Sequence, residues 1–145
     1  MKRIVTGLRQ FRHRKDGVSA VEFAIVLPLF LLILFGIIVF GSYLSLVHSV
    51  QQLAAEAARA SIGGLSDTER VALATSNIRT QANFYPFIAP DKLLVESAVT
   101  DAGTNTFTVR LRYDASQSFI YSLPNLVPMP PPQIVRSAAI QRGGY

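Results

Sequence analysis

The chain has no cysteine and only two histidines, His13 and His48, in 145 residues. Without cysteine it can form no disulfide, thiolate nucleophile or thiolate metal site. Two isolated imidazoles do not provide a His-based catalytic triad or a zinc site. The motifs G-x-S-x-G and G-x-G-x-x-G and the phosphate-binding loop are also missing. We therefore expect no enzyme, no metal and no cofactor. An active site built from serine, lysine and carboxylates alone stays open.

Charge is missing from one long stretch near the start. From Phe23 to Val47 no side chain is charged, and leucine, isoleucine, valine and phenylalanine dominate. An α-helix needs about 20 apolar residues to cross a bilayer core of about 30 Å. The stretch therefore predicts a transmembrane helix over residues 18–48. Glu22 lies at its start, where a carboxylate is costly and calls for a function.

The net charge of +5 belongs to the first residues. Residues 1–17 carry six Lys and Arg residues and one Asp, while residues 18–145 carry eight basic and eight acidic residues. A basic tail before an apolar span is typical of a cytoplasmic N-terminus. Binding of nucleic acid requires a basic face on the folded part, and residues 49–145 show none. We therefore expect membrane lipid, and no nucleic acid, around this chain.

A secretory signal peptide is the alternative interpretation of the N-terminus. It combines a basic start, an apolar region of roughly 7–15 residues and a cleavage site between small residues. Ala55-Glu56-Ala57 offers a nominal site, but the apolar region is far longer than such a peptide needs. An exported soluble protein is therefore the less favoured alternative, and membrane fractionation would decide it.

The helix is predicted to continue beyond the apolar stretch, from about Ser19 to Ile62. Pro28 lacks an N–H and crowds the preceding turn, which predicts a kink. Gly63 and Gly64 are expected to end the helix. The second half has one face with 3,4 spacing, which suits close packing against a sheet: Val50, Leu53, Ala54, Ala57, Ala58 and Ser61.

The remaining residues predict a second helix followed by three antiparallel strands. Ser66 and Glu69 form the pattern of a capping box, and the helix is expected to run to roughly Phe84. The strongest alternation lies in the second strand, where Phe107, Val109, Leu111 and Tyr113 share one face. The strands are expected at Lys92–Thr100, Thr106–Asp114 and Gln133–Gln141, with a proline-rich irregular connection over 115–132.

The start of the chain resembles the prepilins of type IV pilus systems. In that family a leader is cut after a glycine, and glutamate is the fifth residue of the mature chain. Gly17 matches the cleavage glycine, Val18 the new N-terminus and Glu22 the glutamate. Phe23 after Glu22 resembles the tight-adherence (Tad/Flp) branch. The length and the segment AAEAARAS resemble its TadE-like minor pseudopilins. Val18 departs from the phenylalanine or methionine of many type IV pilins, which puts its N-methylation in doubt.

The resemblance implies an α+β pilin-like protein with a cytoplasmic leader (1–17), a transmembrane helix (18–48) and a periplasmic domain (49–145). It would lie in the bacterial inner membrane, pass through it once and take part in assembly or priming of a Tad/Flp pilus. Its partners would be prepilin peptidase, other pilins and pseudopilins, and the inner-membrane assembly platform. The alternative is an uncleaved single-pass membrane protein whose periplasmic domain binds a partner or a ligand.

Overall fold

One helix of 46 residues, α1, spans Lys15–Ala60 and runs through both the apolar stretch and the small-residue face. At a rise of about 1.5 Å per residue it is about 69 Å long. The computed structural model describes residues 15–141, with side chains from Gly17 onward. Residues 1–14 of the predicted leader therefore lie outside the described residues. Pro28 lies inside α1, which continues on both sides of it, and the predicted kink at Pro28 stays a prediction.

A second helix and a three-stranded sheet follow, which confirms the predicted α+β arrangement. Helix α2 spans Asp67–Gln81 and ends a turn earlier than predicted, because a 3₁₀ turn occupies Ala82–Phe84. The 115–132 connection is irregular apart from one 3₁₀ turn at Phe119–Ser122. The strands are β1 (Leu93–Asp101), β2 (Thr106–Asp114) and β3 (Gln133–Gln141).

The sheet is antiparallel with the strand order β1-β2-β3. In β2 the predicted apolar face is buried: Phe107, Val109 and Leu111 are 0% exposed and Tyr113 is 4% exposed. Burying such a side chain stabilises the fold by about 1.5–3 kcal/mol. The pairing of β1 with β2 shifts between Val95 and Ser97. Arg112 on the other face of β2 bonds Glu96 in that shifted segment and donates to Gln133 of β3.

The second half of α1 lies at the centre of the core. All six residues of its predicted small-residue face are buried, from Val50 to Ser61. This half contacts α2 as well as β2 and β3. Gln51 Nε2 also donates to the Ser137 carbonyl over 3.1 Å. Small side chains let the helix approach both neighbours closely, because interiors pack without voids.

The end of α1 differs from the expected glycine cap. A 3₁₀ turn covers Ser61–Gly63, and Gly64 is extended at φ −76°. Neither glycine has a positive φ, so the left-handed conformation that usually favours glycine here is not used. Gly64 is close to the start of α2 instead. A Cβ at Gly64 would lie 2.6 Å from Arg70 Cγ and 2.8 Å from Arg70 N.

The start of α2 is capped by Ser66 and Glu69. The Ser66 hydroxyl accepts from the Glu69 N–H over 3.2 Å, as the capping-box pattern predicts. The Glu69 carboxylate reaches back to Leu65 N–H at 2.8 Å, one residue earlier than in the standard box. Asp67 in the first turn accepts from the Thr100 hydroxyl over 2.7 Å, which joins the helix start to β1.

Candidate functional site

The first half of α1 stands clear of the rest of the fold. Val18 is 60% exposed, Phe23 64% and Ile25 71%, although all are large apolar side chains. The most apolar window of this helix has a mean hydropathy of 3.1, and 6% of that window is buried. Among the described residues, α1 is the one helix that is long and apolar enough to cross a membrane by length and composition.

The predicted processing and assembly residues lie together at the start of this helix. Gly17, Val18, Glu22 and Phe23 all fall within the first turns of α1. Val18 and Glu22 are four residues apart and so share one face, about 6 Å apart along the axis. Glu22 is exposed. A Cβ at Gly17 would meet nothing within 4 Å, so the fold around Gly17 does not require glycine.

The domain first covers the helix well above these residues. Val39 is completely buried, and Leu46 and Val47 are buried in the core. Val127, from the connection between β2 and β3, lies beside the helix at Gly36, where an added Cβ would lie 4.0 Å from Val127 Cγ1. The predicted processing residues and the folded domain therefore lie at opposite ends of the exposed apolar part of α1.

Glu56, within the AAEAARAS segment, has a role that sequence reasoning missed. Its Oε1 accepts from the Tyr85 hydroxyl over 2.9 Å and from Gln52 Nε2 over 3.2 Å. Partial burial is the main cause that raises the pKa of Tyr85 to about 12, and the hydrogen bond and charge of Glu56 raise it further. Tyr85 lies 29 positions away in sequence, so no local pattern could have revealed the contact.

Metal-binding side chains are not clustered in the described part of the chain. In the range 15–141 no group of three or more histidine or carboxylate side chains could hold a metal ion. A groove of about 320 Å³ between α2 and β1 has Arg79 as its charged lining residue, with apolar side chains and Thr75 around it. An arginine does not exchange a proton at ordinary pH, so this groove lacks an acid–base pair.

Comparison with known families identifies the long helix. Residues 17–59 match the family model of TadE-like proteins. This segment is therefore similar to the TadE-like family. The match begins at Gly17 and ends at Arg59, within one residue of the end of α1. It confirms the predicted resemblance to TadE-like proteins over this segment.

The TadE-like match is limited to the helix. It does not extend to α2 or to the three strands, which all lie beyond residue 59. No curated protein and no solved structure matches the chain. The match therefore covers the exposed half of α1 together with Gly17 and Glu22, while the attached domain must be understood from its own contacts.

Proposed function

We propose that this chain is a minor pilin-like subunit, a pseudopilin, that takes part in assembly or priming of a Tad/Flp pilus. The observation that carries the proposal is the exposed apolar half of α1, with Glu22 one turn from Val18 inside a TadE-like segment. A peptidase would cut between Gly17 and Val18. The leader would stay in the cytoplasm and the domain would face the periplasm.

The apolar surface of the exposed half of α1 has to be removed from water. Each Å² of apolar surface left in water costs about 25 cal/mol, and this surface runs along several turns of the helix. Lipid of the inner membrane covers it before assembly. Neighbouring pilin and pseudopilin helices take the place of lipid when the inner-membrane assembly platform lifts the subunit out. The same surface thus serves first as an anchor and then as an interface.

Glu22 sets the axial register of that interface. Cleavage creates an α-amino group on Val18 with a reference pKa of about 7.7–8.0, so it carries a positive charge near neutral pH. An unpaired charge inside an apolar bundle costs several kcal/mol. Docking in which Glu22 of one subunit meets the amine of its neighbour removes both penalties. Phe23 adds an aromatic contact next to this pair, and Pro28 permits local unwinding of the helix.

Processing at Gly17 provides the direct test. With the matching prepilin peptidase co-expressed, mass spectrometry should find Val18 as the N-terminus, because the leader of the prepilins that this segment resembles is cut after a glycine. Gly17→Leu should keep the full length. Gly41→Leu is the matched control and should be cut normally, since Gly41 has the same open surroundings as Gly17 but lies far from the cut.

An intact Met1 in the presence of the active peptidase would contradict the proposal. It would favour an uncleaved single-pass membrane protein with a partner-binding domain. Recovery of the chain in the soluble fraction would instead favour an exported soluble protein.

A further inference from the structure

The connection between β2 and β3 has an unusual composition. From Ala115 to Val135 no residue is charged. We define residues 123–132 as the proline loop, because it contains Pro124, Pro128, Pro130, Pro131 and Pro132. Leu126 in this loop is 48% exposed. A single exposed leucine is ordinary on a protein surface, but this one lies in a loop that has five prolines and no charge.

The proline loop is held against α1 by specific contacts. Val127 is 8% exposed and lies beside Gly36. The Tyr121 hydroxyl donates to the Pro130 carbonyl over 3.1 Å, and this bond holds the C-terminal part of the loop in place. Ile120, in the 3₁₀ turn before it, is completely buried. The loop therefore has a defined position along the helix.

If α1 spans a bilayer from Val18, the loop lies at the boundary of the hydrocarbon core on the side of the domain. From Val18 to Gly36 the helix rises about 27 Å, while the hydrocarbon core of a bilayer is about 30 Å thick. A span that begins at Val18 thus brings Gly36 and Val127 to the outer boundary of the hydrocarbon. If the span begins after Glu22, the loop tip lies deeper still.

The backbone of the loop is also suited to that depth. An N–H without a partner in lipid costs several kcal/mol, and proline has no N–H. Half of the ten residues in the proline loop are prolines. Leu126 N–H donates to the Pro124 carbonyl over 2.7 Å. Proline thus removes half of the backbone donors that the loop would otherwise desolvate on leaving water.

We propose that the proline loop lies in the outer interfacial layer of the bilayer, with Leu126 inserted among the lipid acyl chains. The loop is then a second membrane contact beside the transmembrane helix, and it holds the domain upright on the membrane surface. The inference rests on the membrane-spanning part of the proposed function, because the depth of Gly36 follows from the span.

The absence of tryptophan from the chain makes a single-tryptophan experiment possible. Full-length Leu126→Trp is reconstituted in phosphatidylethanolamine–phosphatidylglycerol vesicles that contain phosphatidylcholine brominated near the headgroup end or near the methyl end of its acyl chains. Phe30→Trp marks the middle of the span. Leu65→Trp is the exposed control, since Leu65 is 92% exposed and follows a helix end that lies about 36 Å beyond Gly36.

Leu126→Trp should show blue-shifted emission and lose most of its fluorescence to the shallow bromines. Phe30→Trp should be quenched by the deep bromines, and Leu65→Trp should be quenched by neither. If Phe30→Trp is quenched but Leu126→Trp behaves like Leu65→Trp, the loop inference is wrong and the span stands. If Phe30→Trp also escapes quenching, the membrane span of the proposed function is wrong as well.

A second measurement tests the position of the loop without the bulky indole side chain that Leu126→Trp introduces. The chain has no cysteine, so Leu126→Cys and Leu65→Cys each carry one thiol. In vesicles a membrane-impermeant maleimide should label Leu126→Cys several-fold more slowly than Leu65→Cys. Equal labelling rates, together with unquenched Leu126→Trp, would place the loop in water and overturn the inference.

Discussion

At the scale of single residues, the contact between Tyr85 and Glu56 joins the segment after α2 to the long helix. The phenol donates to the Glu56 carboxylate over 2.9 Å, and this bond exists only while Tyr85 is protonated. Partial burial and the nearby negative charge both oppose the phenolate, which raises the pKa of Tyr85 to about 12. The contact therefore depends on pH, but only in the alkaline range.

Glu56→Gln should lower the pKa of Tyr85 from about 12 towards its ordinary value of 10.0, without reaching it, because burial is the largest cause and remains. A raised folded-state pKa stabilises the fold below the unfolded value. The contribution of Tyr85 is thus fully present below pH 10 and is lost as pH rises towards 12. Absorbance titration measures this pKa, with Tyr85→Phe to assign the signal among the five tyrosines.

Asp91→Asn is the control for this titration. Asp91 is an exposed carboxylate and is not among the groups that act on Tyr85, so the pKa of Tyr85 should not change. A Tyr85 pKa that is the same in Glu56→Gln and in the original chain would contradict the assigned contact.

At the scale of elements, the junction between α1 and α2 depends on one close backbone approach. Gly64 has ordinary extended dihedrals that any residue could adopt. Its constraint comes from α2, because an added methyl group would overlap backbone atoms of Arg70. Backbone atoms of a capped helix start cannot move aside as a flexible side chain can.

Gly64→Ala should therefore destabilise the domain by roughly 1–3 kcal/mol, the usual cost of overpacking. Gly63→Ala is the matched control next to it, since its added Cβ would find Leu73 Cδ1 at an ordinary 4.0 Å. Denaturant unfolding of the detergent-solubilised chain, followed by circular dichroism, compares the two. Equal stability losses in both variants would indicate a general need for glycine at the helix end rather than this particular overlap.

At the scale of the whole molecule, the chain has two regions of opposite character. The second half of α1 is packed on two sides, by α2 and by the sheet. From Gly17 onward, the first half exposes its apolar side chains and the carboxylate of Glu22. Under the proposed function, lipid or other subunits cover this region, so Glu22 is best tested in the assembly.

Glu22→Gln and Glu22→Ala should both reduce co-purification of the chain with other pilins and lower piliation, because neither can balance the amine of a neighbour. Leader cleavage should continue in both. Asp91→Asn, which removes an exposed carboxylate from the domain, should behave like the original chain. Quantitative mass spectrometry of affinity-purified complexes gives the recoveries. Normal recovery and piliation in both Glu22 variants would remove Glu22 from the proposed assembly contact.

Elements that follow a regular period could be predicted from the sequence. The alternation in β2 predicted which side chains are buried, and the 3,4 spacing after Val50 predicted the core face of α1. The capping residues of α2 were predicted too, although Glu69 reaches Leu65 rather than Ser66. The start of β1 was misplaced by one residue, since a strand end has no sharp chemical marker.

Local sequence by itself determined the long helix and its apolar half, because period, charge and hydrophobicity act over a few neighbouring residues. The residues of the candidate processing site came from the resemblance to prepilins and stay a prediction. Tertiary structure alone decided which parts of that helix the domain contacts. Val127 reaches Gly36 and Tyr85 reaches Glu56 across many intervening positions. Such contacts depend on how β2, β3 and α2 pack around α1, and the free energy of packing is shared among residues that no local pattern connects.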